Sequence, residues 1–148
     1  MIRVQAEDFD IGAEVAALVK GRTDIGAVVT FSGLVRDANG GSVASMELEH
    51  YPGMTEKELA RIEQEARKRW PLQASLVIHR VGKLMPGDNI VLVVTASPHR
   101  QAAFESASFL MDYLKTRAPF WKREDKEGEA HWVDARESDG AAAAKWGL

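Results

Sequence analysis

The chain has 148 residues, and with 45% apolar and 28% charged residues it is expected to fold as one globular domain rather than remain disordered. Its formal net charge of −3, with Lys and Arg spread along the chain, is a poor footprint for a nucleic-acid binder. No apolar run approaches the ~20 residues that span a bilayer, and the absence of cysteine removes disulfides, thiolate metal sites and any cysteine nucleophile or persulfide on this chain.

The opening MIRVQAEDFD carries acidic residues where a signal peptide would be apolar, so a cytosolic location is expected. Residues 2–6 alternate apolar and polar, the pattern of a strand. Asp10 then caps a short helix with Val15, Leu18 and Val19 at helical spacing, and Gly21 stops it. The run 26–35, GAVVTFSGLV, is apolar and β-branched enough for a central strand closed by Arg36. A glycine-rich turn follows. In 43–50, Met46, Leu48 and His50 share one face while Glu47 and Glu49 share the other.

Thr55-Glu-Lys-Glu58 spells a capping box at the start of a helix whose buried stripe is Leu59, Ile62 and Ala66, and Trp70-Pro71 ends it. Residues 75–81 and 90–97 are two more strands, joined through the turn Met85-Pro-Gly-Asp88. A third helix opens at Ser97-Pro98-His99-Arg100, with Ser97 as N-cap and Pro98 at the first helical position. Its core face is Ala103, Ala107, Leu110, Met111 and Leu114. The Ala118-Pro119 pair stops it, because proline lacks an N–H and drives the preceding residue out of the α region. Residues 120–124 and 129–135 form a hairpin, and four consecutive alanines mark 141–148 as a flexible tail beyond a domain of residues 1–140.

Chemistry concentrates around the third helix. Its first turn offers backbone N–H groups, the positive end of the helix dipole, His99 and Arg100, an arrangement suited to an anion. Arg36, at a strand end beside glycines, presents a second guanidinium whose fork matches phosphate oxygens. Lys115 and Lys122 stand seven residues apart on either side of Pro119, and a bend there can aim two ammonium groups at one space as acids or oxyanion clamps. Phe31, Phe120 and Trp121 could wall a heterocycle pocket, although aromatics and Met111 on an apolar face equally serve as core. Each cation also has a plain alternative as a solvated surface charge. The four histidines show no metal-ligand spacing, so no metal is expected.

The segments TFSGLVR, LEHYPGMTEKEL, IHRVGKLMPGD, SPHR, FLMDYLKTRAPFWKRE and WVDARESD together resemble the large, catalytic subunit of molybdopterin synthase, in order and over about residues 2–140. That resemblance implies a single α+β domain, α/β hammerhead-like, with a mixed sheet and about three helices. It implies conversion of cyclic pyranopterin monophosphate to the dithiolene of molybdopterin, with no cofactor of its own. The sulfur would arrive on the C-terminal Gly-Gly thiocarboxylate of a small ubiquitin-like partner, in a heterotetramer with a central homodimer of large subunits. Matched by motif, Lys115 and Lys122 correspond to catalytic lysines, and Leu34, Val35, Arg36, His99, Arg100, Arg123 and Glu124 to substrate contacts, with Arg136 in the pocket region. Phe31 and Met111 join them as wall residues. Position 34 is Leu where some members carry a basic residue, so a backbone contact is implied there. A non-catalytic scaffold that binds a ubiquitin-like tail, and a different pterin or nucleotide transferase, are the competing readings; no P-loop or GxGxxG spelling supports the nucleotide version.

Overall fold

The computed structural model describes residues 1–37, 43–116, 120–126, 129–133 and 143–147, and for 43–44, 121–126 and 129–133 it describes the backbone alone. The elements run β1 Ile2–Gln5, α1 Ile11–Val19, β2 Ala27–Leu34, β3 Val43–His50, α2 Met54–Arg69, β4 Ala74–Arg80, β5 Gly82–Leu84, β6 Asn89–Ser97, α3 Arg100–Thr116, β7 Phe120–Lys126 and β8 Glu129–Val133. They build two four-stranded sheets. The first has the order β1-β4-β6-β2 and is mixed, with β1 parallel to β4 and the other pairs antiparallel. The second, β5-β3-β7-β8, is antiparallel throughout. This is the α+β domain with three main helices and a mixed sheet that the sequence implies.

The central strands β4 and β6 of the first sheet are buried on both faces, which explains their near-continuous apolar runs. Leu76, Ile78, Leu92 and Val94 face α1 through Phe9, Ile11, Val15 and Leu18. The alternate residues Val77, Val91 and Val93 face α2 and α3, packing with Leu59, Ile62, Ala66, Phe109, Leu110 and Tyr113. Each of these larger side chains contributes about 1.5–3 kcal/mol by leaving water. A smaller cluster of Val35, Met46, Leu48 and Leu84 ties the second sheet to the end of β2.

Three local expectations change. The second helix begins one residue before Thr55: Glu56 accepts from the Gly53 N–H at 3.0 Å, while the Thr55 hydroxyl accepts from the Tyr51 N–H at 3.1 Å. Glu58, the residue expected to close the box, instead receives Arg61. The strand β5 went unread because three residues give no period to detect. At the chain's end, the expected flexible tail contains a packed turn. Ala143 is 3% exposed, and the Trp146 ring meets Trp70 and Phe109 edge-on at 5.6 Å each. The Trp146 indole N–H donates to Asp112 Oδ2 at 2.5 Å, and Arg69 donates to the Trp146 carbonyl at 2.9 Å. Alanine content suggested fraying; one aromatic anchor outweighs it.

Candidate functional site

Strand pairing decides which candidate residues can meet. In the antiparallel ladder between β2 and β6, Ala27 lies opposite Ser97 and Leu34 opposite Asn89. The two ends of β2 are seven steps apart, about 23 Å at the rise of an extended strand. From Ser97 the chain turns into α3, whose 17 residues run back about 25 Å at the helical rise. Thus Lys115, in the last turn of α3, returns toward the end of β2 that carries Arg36. His99 and Arg100 stay at the other end.

At the Arg36 end, Val35 is the anchor. Its side chain is 5% exposed among Met46, Leu48 and Leu84. Its N–H donates to the Asp88 carbonyl at 2.8 Å, and its own carbonyl accepts from the Gly87 N–H at 2.7 Å. Val35 thus holds the strand end against the Met85–Asp88 turn with its side chain and backbone, and its carbonyl keeps a second lone pair. Its neighbours Leu34 and Arg36 are both exposed, and Arg36 makes no ion pair or hydrogen bond among the described residues. Lys115 is likewise exposed and unpaired among the described residues.

The strand that follows Lys115 is held by an aromatic stack. Phe120 lies parallel to His79, with centroids 3.8 Å apart and planes 17° apart, and 6.4 Å from His50. Phe120 is thus committed to packing and does not offer a free pocket wall. The His79 Nδ1 is 2.8 Å from the Arg80 carbonyl, and His50 Nε2 is 3.7 Å from Glu56. Sequence reasoning set these histidines aside for lack of metal spacing. The signal it passed over was parity: His79 continues the Ser75, Val77 face of β4 toward α3.

On β7, Lys122 stands between Leu48 and Val133, Arg123 between Glu47 and Trp132, and Glu124 between Met46 and His131. Arg136 lies outside the described residues. Met111 is half-buried against the main core, as its apolar-face position suggested. Phe31 lies midway along β2, opposite Val93, and is 40% exposed.

At the far end, β6 gives way to α3 through Pro98 and His99. Ser97 does not cap the helix as expected: its hydroxyl donates to the His99 carbonyl, and among the described residues no side chain accepts from the N–H groups of the first turn. An open hollow of about 500 Å³ adjoins them, lined by Gly26, Ala27, Pro98, His99, Arg100 and Gln101. Its tight wall needs Gly26, where a Cβ would fall 2.1 Å from the Pro98 carbonyl oxygen. Behind the hollow the Glu105 carboxyl is held below its usual range by hydrogen bonds from Gln101 first and from the Trp70 indole. The lining itself contributes the exposed Arg100 guanidinium, the exposed His99 ring and peptide N–H groups, an anion-receptive arrangement.

A family model described as "MoaE protein" matches residues 4–117. A molybdopterin synthase catalytic subunit from Mesorhizobium japonicum is 61% identical over 98% of this chain and 92% of its own length. Among solved structures, the molybdopterin biosynthesis MoaE protein of Burkholderia ambifaria superposes with a TM-score of 0.86 at 55% identity, covering 100% of this chain and 98% of that one. The molybdopterin synthase of Staphylococcus aureus gives 0.82 at 31% identity, covering 88% and 95%.

Proposed function

The chain belongs to the MoaE protein family, and from that premise we propose that it is the catalytic subunit of a molybdopterin synthase, moving sulfur from a partner's thiocarboxylate onto cyclic pyranopterin monophosphate. Each transfer exchanges one sulfur on the partner's terminal carbonyl for an oxygen, so two loaded partners are consumed per dithiolene. The absence of cysteine fits a reaction whose sulfur arrives on another chain. Among the described residues no helix is long and apolar enough to cross a membrane, and the reading places the protein in the cytoplasm.

The observation that carries this reading is Lys115, exposed and unpaired among the described residues, at the Arg36 end of the first sheet. An ammonium group there, with Lys122 on the following strand, suits the neutralisation of an oxygen leaving a carbon or a phosphate ester. Lys115 acts at the reacting carbons and Lys122 assists at the leaving oxygen or the tail carboxylate. Arg36 and the His99–Arg100 hollow grip the substrate's phosphate. Leu34, Phe31, Arg123, Glu124 and Arg136 complete the substrate's surroundings, and Met111 supports Lys115 from one turn earlier.

One chain holds Arg36 about 23 Å or more from His99 by the strand's rise, too far for a single phosphate. The reading therefore takes the central homodimer as part of the site, with His99 and Arg100 of one copy serving the lysines and Arg36 of the other. The test is a mass-spectrometric turnover assay with cyclic pyranopterin monophosphate and a thiocarboxylated small partner, with Lys115→Ala in parallel. Dithiolene product from the unsubstituted chain, and a rate at least about 100-fold lower from Lys115→Ala, is expected for loss of one preorganised charge. Full turnover by folded Lys115→Ala would sink the assignment. Partner binding without any turnover would favour a scaffold.

A further inference from the structure

Lys115 stands in the last turn of α3, and the acidic residue one turn before it is Asp112. Side chains three positions apart on a helix are neighbours, with Cβ atoms about 5–6 Å apart, and opposite charges at that spacing attract. Yet among the described residues no ion pair joins these two, because the Asp112 carboxylate is held elsewhere. Its Oδ2 accepts the Trp146 indole N–H at 2.5 Å and lies 3.8 Å from Lys145 Nζ, so both partners come from the C-terminal turn. The Asp112 side chain is 17% exposed in this setting. The turn is fixed in its own right by Trp70, Phe109 and the Arg69 guanidinium. The cations that α2 brings to this region are already committed, Arg61 to Glu58 and Arg69 to Glu65. The Thr116 hydroxyl is taken up by the Asp112 carbonyl at 2.8 Å, not by its carboxylate. Packing against Trp70 and Phe109 asks only for a ring, whereas the bond to Asp112 needs an N–H donor.

We propose that Asp112, Lys145 and Trp146 form a clasp that positions Lys115: by holding the Asp112 carboxylate on the C-terminal turn, it keeps the neighbouring ammonium unpaired and available to the substrate. This rests on the reading of Lys115 as the group at the reacting carbons. Asp112 and Trp146 are positioning residues, since neither touches substrate. With the clasp open, the nearest cation on the helix for Asp112 is Lys115. A carboxylate there competes with the leaving oxygen for the ammonium and draws the side chain back along the helix. Ion pairs of this spacing at a surface are modest, so opening the clasp is expected to act about two- to fivefold, not as an all-or-none switch.

The test opens the clasp without removing the ring. Lys145→Ala with Trp146→Phe takes away both partners of Asp112 and leaves an aromatic side chain against Trp70 and Phe109; a third substitution, Asp112→Asn, then removes the freed charge. Circular dichroism checks that each protein is folded. The first readout needs no turnover: the rate at which an amine-directed acylating reagent labels Lys115, followed by peptide mass spectrometry with exposed Lys20 on the far side of the first sheet as internal reference. Only the neutral amine reacts, and a nearby carboxylate favours the ammonium. Labelling of Lys115 is expected to slow about two- to fivefold in the double variant and to recover in the triple variant, with Lys20 unchanged. In the sulfur-transfer assay kcat should fall and recover in the same order, with KM little moved. Unchanged Lys115 labelling in the folded double variant would overturn the proposal. A slowing that Asp112→Asn does not reverse would also overturn it, because the turn would then act through packing alone. Slowed and rescued labelling with kcat unmoved throughout would uphold the clasp and overturn the catalytic reading of Lys115.

Discussion

If Arg36 and the His99–Arg100 pair act together only across a dimer, two inactive variants should restore each other. The perturbations are Arg36→Ala in one tagged chain and His99→Ala with Arg100→Ala in another. Each removes a charge-assisted contact to phosphate, worth about 1.5–3 kcal/mol, so each homodimer should lose roughly 10- to 150-fold in kcat/KM. The strand ladder fixes the geometry behind the rescue, since Ala27 pairs with Ser97 and Leu34 with Asn89 on one sheet. In a mixed dimer one site receives both damaged halves and the other receives Arg36 from one chain with His99 and Arg100 from its partner, both intact. Mixed dimers isolated by two successive affinity tags should therefore show about half the unsubstituted turnover, and an unsorted one-to-one mixture after subunit exchange about a quarter. The assay is dithiolene formation by mass spectrometry with the thiocarboxylated partner in excess. Isolated mixed dimers no more active than the parent variants would refute the reasoning, because each site would then draw all its cations from one chain.

Two further outcomes follow from packing. Gly26→Ala places a methyl where the Pro98 carbonyl oxygen stands, 2.1 Å from the new Cβ. That segment must move, with a cost of about 1–3 kcal/mol in urea unfolding and a rise in KM larger than the fall in kcat; an unchanged unfolding midpoint would contradict the close approach. Trp146→Ala removes a half-buried indole that contacts Trp70 and Phe109 and donates to Asp112, and should cost about 2–3 kcal/mol, read as a lowered urea midpoint at constant slope. A shift under half a kcal/mol would mean that this turn is not docked in solution.

The sequence by itself determined most of the element inventory and the chemistry on offer. Alternation in β3, the helical stripe Leu59, Ile62, Ala66 and the apolar runs of β4 and β6 are local periodicities, set by which neighbours along the chain share a face. The ordered motifs around Lys115 carried the family resemblance, and the absence of cysteine directed the search for sulfur to another chain. Cap chemistry was less legible, because Ser97, Thr55 and Glu58 each had two possible partners within a few residues, and the backbone trace decides which one is in reach. Proximity across the fold was not legible at all. Arg36, His99 and Arg100 looked like one anion grip as residue types, but the register of β2 on β6 places them at opposite ends of a strand. Register is fixed by which apolar faces must be buried together between segments far apart in the chain, Ala27 with Ser97 and Leu34 with Asn89, a balance of packing and loop closure that no local pattern encodes. The same tertiary arrangement made Val35 an anchor of the strand end, stacked Phe120 on His79, and left β2 as an edge among the described residues.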